Sequence, residues 1–514
     1  MTLRVLILHN AVAPDADASE ADVLVQVEAI ENACRQLGHS TERFGCTLDL
    51  SHVATGLETA KPDVVFNLAE SLGGSDRLAS LAPALLDARG IPFTGSSQAA
   101  LDLTNNKPAA KQKLLSAALP TPPWLTLDDR SATLPLPGRY ILKAIWEHAS
   151  VGIDDSAIVE VDTENELRSA LEQRAARFAG RAFAEQFIAG REFNLSLLAG
   201  PDGPQVLPPA EIDFSRFPAD KPRIVGYDAK WSEGSFEFEH TPRRFGFASE
   251  DRPLLRQLEY LARSCWRACD LRGYVRVDFR VDESGQPWVL EINTNPCLSP
   301  DAGFAAALAT AGIDFPTAVQ RILDDALREH VPAGDEKLKR RSQRTAGGVQ
   351  FEGPHEPTTF RSDVQPSDAL AIRQIVAATG KFRPAEVDVA VELVEERRAK
   401  GIESGYHFVI AEQGGAVLGY TCFGPISVTV ASYDLYWIAV DPRLQARGLG
   451  KALMQRTEEA VRAAGGQRIY IETSGRPDYW ATRAFYEACG YRFDSRVADF
   501  YAPGDDKILY VKSL

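Results

Sequence analysis

The segment "VRVDFRVDESGQPWVLEINTNP", residues 275–296, sets an aspartate, a glutamate and an asparagine into two runs that otherwise read as β-strands. Both runs, 275–281 and 288–293, alternate apolar and polar residues with period two around the turn sequence "DESGQP", which predicts a hairpin. Symmetric closure pairs Val281 with Trp288, Asp278 with Glu291 and Arg276 with Asn293, and puts the last four on one face. Val277, Phe279, Leu290 and Ile292 make the other, apolar face. Two carboxylates directly opposed in a sheet cost roughly 0.2–1 kcal/mol, and something must offset that. Two readings stand: a hard divalent cation such as Mg²⁺, for which two carboxylates and an amide oxygen suffice when phosphates complete the shell, or a wet sheet face on which Arg276 neutralises the acids.

At 514 residues the chain is too long for one core, and about 150 residues per domain predicts three or four units. With 45% hydrophobic and 25% charged residues the composition is that of a globular protein. A net charge of −15 argues against a nucleic-acid partner, because phosphate binding needs clustered Lys and Arg. The opening apolar run is too short for a signal-peptide core, and no stretch reaches the ~18 apolar residues of a membrane span, so the expected location is cytoplasmic, with no membrane partner. Seven cysteines without Cys-x-x-Cys spacing read as reduced core residues, Cys265 and Cys269 included.

Along the first hundred residues strand and helix alternate: "LRVLILHN", a helix over 20–37, "DVVFNLA", a helix over 78–88, and "IPFTGS". This predicts a parallel, doubly wound α/β subdomain over 1–103. Residues 104–330 change to hairpin-like pairs and end in a helix over 318–330, an α+β unit. Residues 331–357 mix charge, Gly and Pro without apolar periodicity and read as a linker. A separate domain over 358–514 follows, with helices near 367–378 and 384–400 and strands "HFVIAEQ", "AVLGYTCFG" and "YDLYWIAV".

Upstream of the hairpin, "NNKPAAKQKLL" and "YILKAIWEHASVGI" set Lys107 and Lys143 in contexts suited to phosphates, the second running into a loop at Ser150 whose backbone amides suit an anion. "FAEQFIAGREFNLSLL" reads strand, turn, strand, with Glu185 before an apolar pair and Glu192 after the glycine. Lysine, lysine with a small-residue loop, Glu-Gln-Phe-Ile, then Asp and Glu-x-Asn: this ordered set resembles the ATP-grasp superfamily and, within it, the D-alanine–D-alanine ligases, over about residues 1–325.

The resemblance implies an ATP-grasp fold and roles position by position. Lys107, Lys143 and Ser150 would contact ATP phosphates, with Lys230 of "YDAKW" as a further phosphate-binding lysine. Glu185 and the backbone at Phe187 and Ile188 would hold adenine, and Glu192 the ribose. Asp278, Glu291 and Asn293 would bind Mg²⁺ or Mn²⁺, and Arg276 would stabilise the oxyanion of a tetrahedral intermediate. Glu20 would receive the first substrate's amino group, or is an ordinary acid at a helix N-terminus. The implied chemistry is attack of a carboxylate on the γ-phosphate, then of an amine on the acyl phosphate. Two stretches depart from the ligase pattern: "LAESLGG" stands where His-Gly is expected, and "NTNPCLSPDAGF" changes the second-substrate loop at Asn295 and Cys297. A substrate other than D-alanine is expected.

In the last domain "QARGLG", residues 445–450, joins a strand to a helix, and its glycines and free amides suit a pyrophosphate. With "YWATRAFYEACGYRF" downstream, the pair resembles the GNAT family of acetyl-CoA-dependent N-acetyltransferases. Gln445, Arg447, Gly448 and Gly450 would hold the coenzyme's pyrophosphate, the backbone of Ile438 and Val440 its acetyl arm, and Tyr486 would protonate the departing thiolate. Glu472 and Asp434 are the candidate general bases. The expectation is an ATP-, Mg²⁺- and acetyl-CoA-using enzyme of two activities acting on small amino-acid or amine substrates, as a homodimer. The alternatives are a ligase whose second domain senses acetyl-CoA, and a ligase carrying its own protein-lysine acetylase.

Overall fold

A computed structural model describes residues 2–12, 18–129, 134–147, 150, 152–329, 358–444 and 448–514; the side chains of 18–20 lie outside that set. The chain divides into two compact units, Met1–Arg341 and Ser342–Leu514.

The first unit opens with three parallel strands, β1 (Arg4–Asn10), β2 (Ser40–Cys46) and β3 (Val64–Leu68), in the order β2-β1-β3. Alternate residues of β1 enter opposite cores, as a strand buried on both faces requires. Val5 and Ile7 pack against Val23, Val27 and Ile30 of the helix Ala18–Gln36. Leu6 and Leu8 pack against Val53 and Leu57 of the helix Leu50–Ala60. The sheet is therefore doubly wound. "IPFTGS" does not form the expected strand: Phe93 makes only an isolated parallel bridge to Val65. The polar "STERFGC" forms β2 instead, an edge strand with only Cys46 fully buried.

A four-stranded antiparallel sheet follows, β4 (Trp124–Thr126), β5 (Gly138–Ala144), β6 (Ile158–Val161) and β7 (Ala182–Gln186), ordered β4-β7-β5-β6. Tyr140, Leu142 and Ala184 face Leu167 and Leu171 of the helix Glu164–Ala175, which leaves Ile141, Lys143 and Glu185 on the opposite side. The larger sheet comprises β8 (Arg191–Leu198), β9 (Gln205–Val206), β10 (Ala210–Ile212), β11 (Arg243–Arg244), β12 (Tyr274–Val281) and β13 (Pro287–Asn293), with the path β11-β10-β8-β12-β13. Its apolar face, Phe193, Leu195, Val275, Val277, Phe279, Val289 and Ile292, is covered by the helix Arg252–Ala268, whose Cys265 and C-capping residue Cys269 are core residues.

The hairpin β12–β13 pairs Arg276 with Asn293 and Asp278 with Glu291, as its spacing predicts. Beyond Asp278 the register shifts, so Phe279 meets Val289 and Val281 meets Pro287, not Trp288. Leu290 is the bulged residue. Val289 takes the core position expected of Leu290, and Leu290 turns onto the polar face beside Glu291.

The second unit is built on a seven-stranded sheet ordered β14-β15-β16-β17-β18-β20-β19. The strands are β14 (Thr359–Arg361), β15 (His407–Gln413), β16 (Ala416–Pro425), β17 (Ser432–Val440), β18 (Arg468–Ser474), β19 (Arg492–Ala502) and β20 (Asp505–Ser513). Helices Asp368–Ala378 and Pro384–Lys400 contribute Ile372, Val376, Ala390 and Val394 to its core. Among the described residues no helix is long and apolar enough to cross a membrane.

Candidate active site

In the first unit the polar face of the large sheet lines a cavity of ≈ 1120 Å³. Three strands contribute matched rows: Asn194, Asp278 and Glu291 lie side by side, as do Ser196, Arg276 and Asn293. Asp278 is heavily bonded. Arg276 donates to it through Nε (2.8 Å) and Nη2 (2.9 Å), and Asn194 Nδ2 donates to Oδ1 (2.8 Å). This ion pair holds the Arg276 guanidinium above its ordinary pKa despite burial. Arg276 thus neutralises Asp278, in keeping with the second of the two readings of the hairpin. That leaves the first open: Asp278, Glu291 and Asn293 remain a hard-oxygen set on one face, whose chemistry fits Mg²⁺ or Mn²⁺. Among the described residues no three His, Cys, Asp or Glu cluster as a metal site by themselves.

The lysines converge on the same cavity. Lys107 begins the helix Lys107–Ser116, whose Asn106 cap accepts from Ala109 N, and its Nζ donates to the Glu147 carbonyl (2.7 Å). Lys143 Nζ donates to Glu185 Oε1 (2.6 Å). Burial lowers the pKa of Lys107 and of Lys230, for Lys230 reinforced by the Arg276 charge. Buried ammoniums that lack full compensation favour an anion arriving between them. Ser150 sits at φ 61°, a strained conformation for a non-glycine residue, with Oγ donating to the Val225 carbonyl (2.9 Å). Glu185, Phe187, Ile188 and Glu192 line the cavity too. Glu192 is held by Arg280 (3.0 Å), although burial keeps its carboxyl pKa raised.

Sequence reading missed Lys111. One turn beyond Lys107, it pairs with Glu185 Oε2 and donates to Thr121 Oγ1 (2.8 Å), with both side chains only 1% exposed. Glu185 is thus clamped between Lys111 and Lys143, whose charges overcome its burial and hold its pKa below the ordinary value. Asn194 and Arg280 were also missed, although their period-two spacing from Glu192 and Asp278 marks the same sheet face. Glu20 falls in the helix Ala18–Gln36, but its side chain lies outside the described residues. The altered loop is tied to that helix by Asp22, which accepts from Cys297 Sγ (3.0 Å) and Ser299 Oγ (2.8 Å).

In the second unit the parallel ladder between β17 and β18 runs only from Ser432–Arg468 to Leu435–Ile471, so the strands part beside Ile438 and Val440. Gly448, at φ +83°, caps the helix Leu449–Ala463. Gly450 has a packing role: a Cβ there would meet the Phe485 ring at 3.1 Å. Gln445 and Arg447 lie outside the described residues. Tyr486 is buried among Phe485, Tyr491 and Tyr510, and burial raises its pKa. Burial, then the charge of Glu472, raises the Asp434 pKa, whereas Glu472 is exposed and paired to Lys507 (3.0 Å).

Two antiparallel sheets facing one lysine- and carboxylate-lined cavity, beside a doubly wound sheet, define an ATP-grasp ligase; the seven-stranded sheet with parting β17 and β18 defines a GNAT acetyltransferase. Comparison with known families agrees: residues 129–324 match the D-ala D-ala ligase C-terminus and 377–491 the acetyltransferase (GNAT) family. A D-alanine–D-alanine ligase of a Synechococcus strain is 30% identical over 308 residues, 59% of this chain and 87% of that one. A Sinorhizobium fredii protein of uncharacterised function, y4sG, is 30% identical over 315 residues, 60% of this chain and 89% of that one. A solved structure from Desulfovibrio desulfuricans assigned to the GNAT family is 46% identical, covering 30% of this chain and 99% of that one, with a TM-score of 0.30. The chain belongs to the D-alanine–D-alanine ligase family and carries a GNAT acetyltransferase domain after its ligase portion.

Proposed function

We propose that the protein is an enzyme of two activities, an ADP-forming carboxylate–amine ligase for small amino-acid substrates and an acetyl-CoA-dependent N-acetyltransferase for a small amine. The observation that carries the ligase reading is the meeting of Lys107, Lys143 and Lys230 with the Asp278–Glu291–Asn293 face in one cavity. The lysines bind and orient the phosphates of ATP, since buried ammoniums gain most from an arriving anion. Phe187 and Ile188 line the adenine end, and Glu192, oriented by Arg280, accepts from the ribose hydroxyls. Asp278, Glu291 and Asn293 hold the divalent cation, which when bound neutralises charge on the phosphates. The substrate carboxylate takes the γ-phosphoryl group, and an amine then displaces phosphate from the acyl phosphate, leaving an amide. Arg276, beside Asp278 on the same face, would supply N–H donors to the oxyanion once Asp278 served as a cation ligand.

In the second unit the free edge where β17 leaves β18 receives the acetyl arm of the coenzyme. Asp434, whose pKa burial raises and which is less exposed than Glu472 in its pair with Lys507, takes the amine's proton. Tyr486 gives one to the thiolate. The test is a matrix of amino acids and amines scored for ADP release and, with acetyl-CoA, for free thiol. Amide formation plus acetylation supports both activities. Robust D-alanyl-D-alanine synthesis would overturn the expectation of a different substrate. Thiol release that appears only with acetylated lysine in the protein would favour a protein acetylase.

A further inference from the structure

Three buried polar atoms on one wall of the ligase cavity have no hydrogen-bond partner: Asn10 Oδ1, Glu70 Oε1 and Asn295 Nδ2. They come from three separate segments, the end of β1, the residue pair after β3, and the loop after β13. Buried polar atoms are paired in more than about nine cases in ten, so three orphans lining one cavity point to a ligand with donors for two oxygens and an acceptor for one amide. The position suits one, because β1 and β3 are adjacent parallel strands and their carboxyl ends form the crevice where open α/β sheets bind ligands.

Charge selects the ligand. Glu70 lies within reach of the carboxylates of Asp76 and Asp22 and is hydrogen-bonded by Gln26. Asp22 is already satisfied by Cys297, Ser299 and Gln26, whereas Glu70, which Gln26 also bonds, keeps its Oε1 open. Tyr274 fixes the Asn295 amide by donating to its Oδ1 (2.5 Å), which turns Nδ2 to the remaining contact. Both Glu70 and Asn295 stand in the stretches that depart from the ligase pattern.

We propose that this wall selects an amino-acid substrate with a basic side chain, whose ammonium or guanidinium donates to Glu70 Oε1 and Asn10 Oδ1 while Asn295 Nδ2 donates to an oxygen of the same molecule. The assignment rests on the ligase reading but is tested separately from it. Binding of lysine, ornithine and arginine, in both chiral forms, is measured calorimetrically on the full-length protein with a non-hydrolysable ATP analogue, against norleucine, the uncharged analogue of lysine. At least one basic amino acid should bind more than about tenfold tighter than norleucine, the worth of one charge-assisted hydrogen bond. Glu70→Gln should erase that preference without changing affinity for the ATP analogue, and Asn295→Ala should weaken the same ligand with its preference for charge intact. Norleucine binding as well as every basic amino acid, or a preference that survives Glu70→Gln, would overturn the assignment. Selective binding of a basic amino acid without ADP release from any amine would instead overturn the ligase reading and leave this one standing.

Discussion

Asp278 on β12 and Glu291 on β13 stand directly opposite each other, one position before the bulge at Leu290. Like charges so placed cost stability, roughly 0.2–1 kcal/mol, and a strand pair that keeps them has a use for them. Glu291→Gln is therefore expected to change the melting of the first unit by no more than about 1 kcal/mol in free energy, while ADP release falls by orders of magnitude and can no longer be restored by Mg²⁺. Asp278→Asn should also abolish ADP release. It should cost stability as well, because it breaks the bidentate pair with Arg276. Acetyl-CoA consumption with a good acceptor should persist in both, and parental ADP release by Glu291→Gln would remove it from the metal set.

The clamp on Glu185 gives a stability prediction. Lys111 and Glu185 are both about fully buried, and Lys111 also orders Thr121, whose Oγ1 donates to the Val289 carbonyl (2.8 Å). Lys111→Met leaves that carboxylate with Lys143 alone, and breaking a buried pair by removing one partner costs about 3–5 kcal/mol. Differential scanning calorimetry should show the ligase transition shifted down with the acetyltransferase transition unmoved. Adding Glu185→Gln should recover part of the loss. A Lys111→Met ligase transition at the parental temperature would show that the clamp carries no net stability.

What the sequence made legible was the pattern with a period. The hairpin announces itself because polar residues repeat every second position on one face, which sets the pairing of Asp278 with Glu291 and Arg276 with Asn293 but not the pairing next to the turn. The bulge was not legible, since inserting Leu290 changes no composition and only the core's choice of Val289 reveals it. β2 was hidden for another reason: "STERFGC" is an edge strand with little apolar alternation. Lys111 reads as a surface-helix lysine, one turn from Lys107, until the fold brings Glu185 against it. Glu70 likewise becomes remarkable to a chemist only when β3 carries it to the cavity wall.

Glu70 also predicts a pH dependence. Burial, and next the charge of Asp76, raises its pKa from the ordinary 4.5 to about 8, with Asp22 adding to the rise and Gln26 opposing it. The folded protein therefore keeps a proton that the unfolded chain gives up near 4.5. The stability tied to that proton is whole below pH 4.5 and is lost progressively as pH rises to about 8. Glu70→Gln mimics the neutral carboxyl at every pH, so its ligase transition should match the parent's at the acid end of this window and exceed it increasingly toward the alkaline end, by up to about 1.4 kcal/mol per unit. Parallel melting curves across the window would show that Glu70 ionises normally.

The two units have separate buried clusters: those around Ile7, Leu8, Phe193 and Leu142 belong to the first, and that around Ile372 and Tyr420 to the second. Fragments 1–330 and 358–514 should therefore fold alone and retain ADP release and acetyl transfer respectively. Circular dichroism, melting and the two assays on separately purified fragments check this. Aggregation of both would show that the boundary is misplaced.

Tyr486→Phe tests the proposed proton donor by removing a single oxygen. Tyr486 sits in the helix Trp480–Ala488, buried against Tyr491 and Tyr510, where burial raises its pKa and keeps the phenol protonated throughout the working range. In the proposed role the protonated phenol gives its proton to a departing thiolate, and losing general-acid help costs about 10²–10⁴-fold in rate. Tyr486→Phe keeps the ring packing and removes only the hydroxyl, so thermal stability should stay near the parent's while acetyl transfer slows by that factor and ADP release is untouched. The kinetic signature matters: kcat should fall with the KM for acetyl-CoA nearly constant, because the hydroxyl acts in the transition state and not in binding. A rise in KM with unchanged kcat would make Tyr486 a binding residue, and a parental rate would leave the proton donor to be sought elsewhere along the coenzyme cleft.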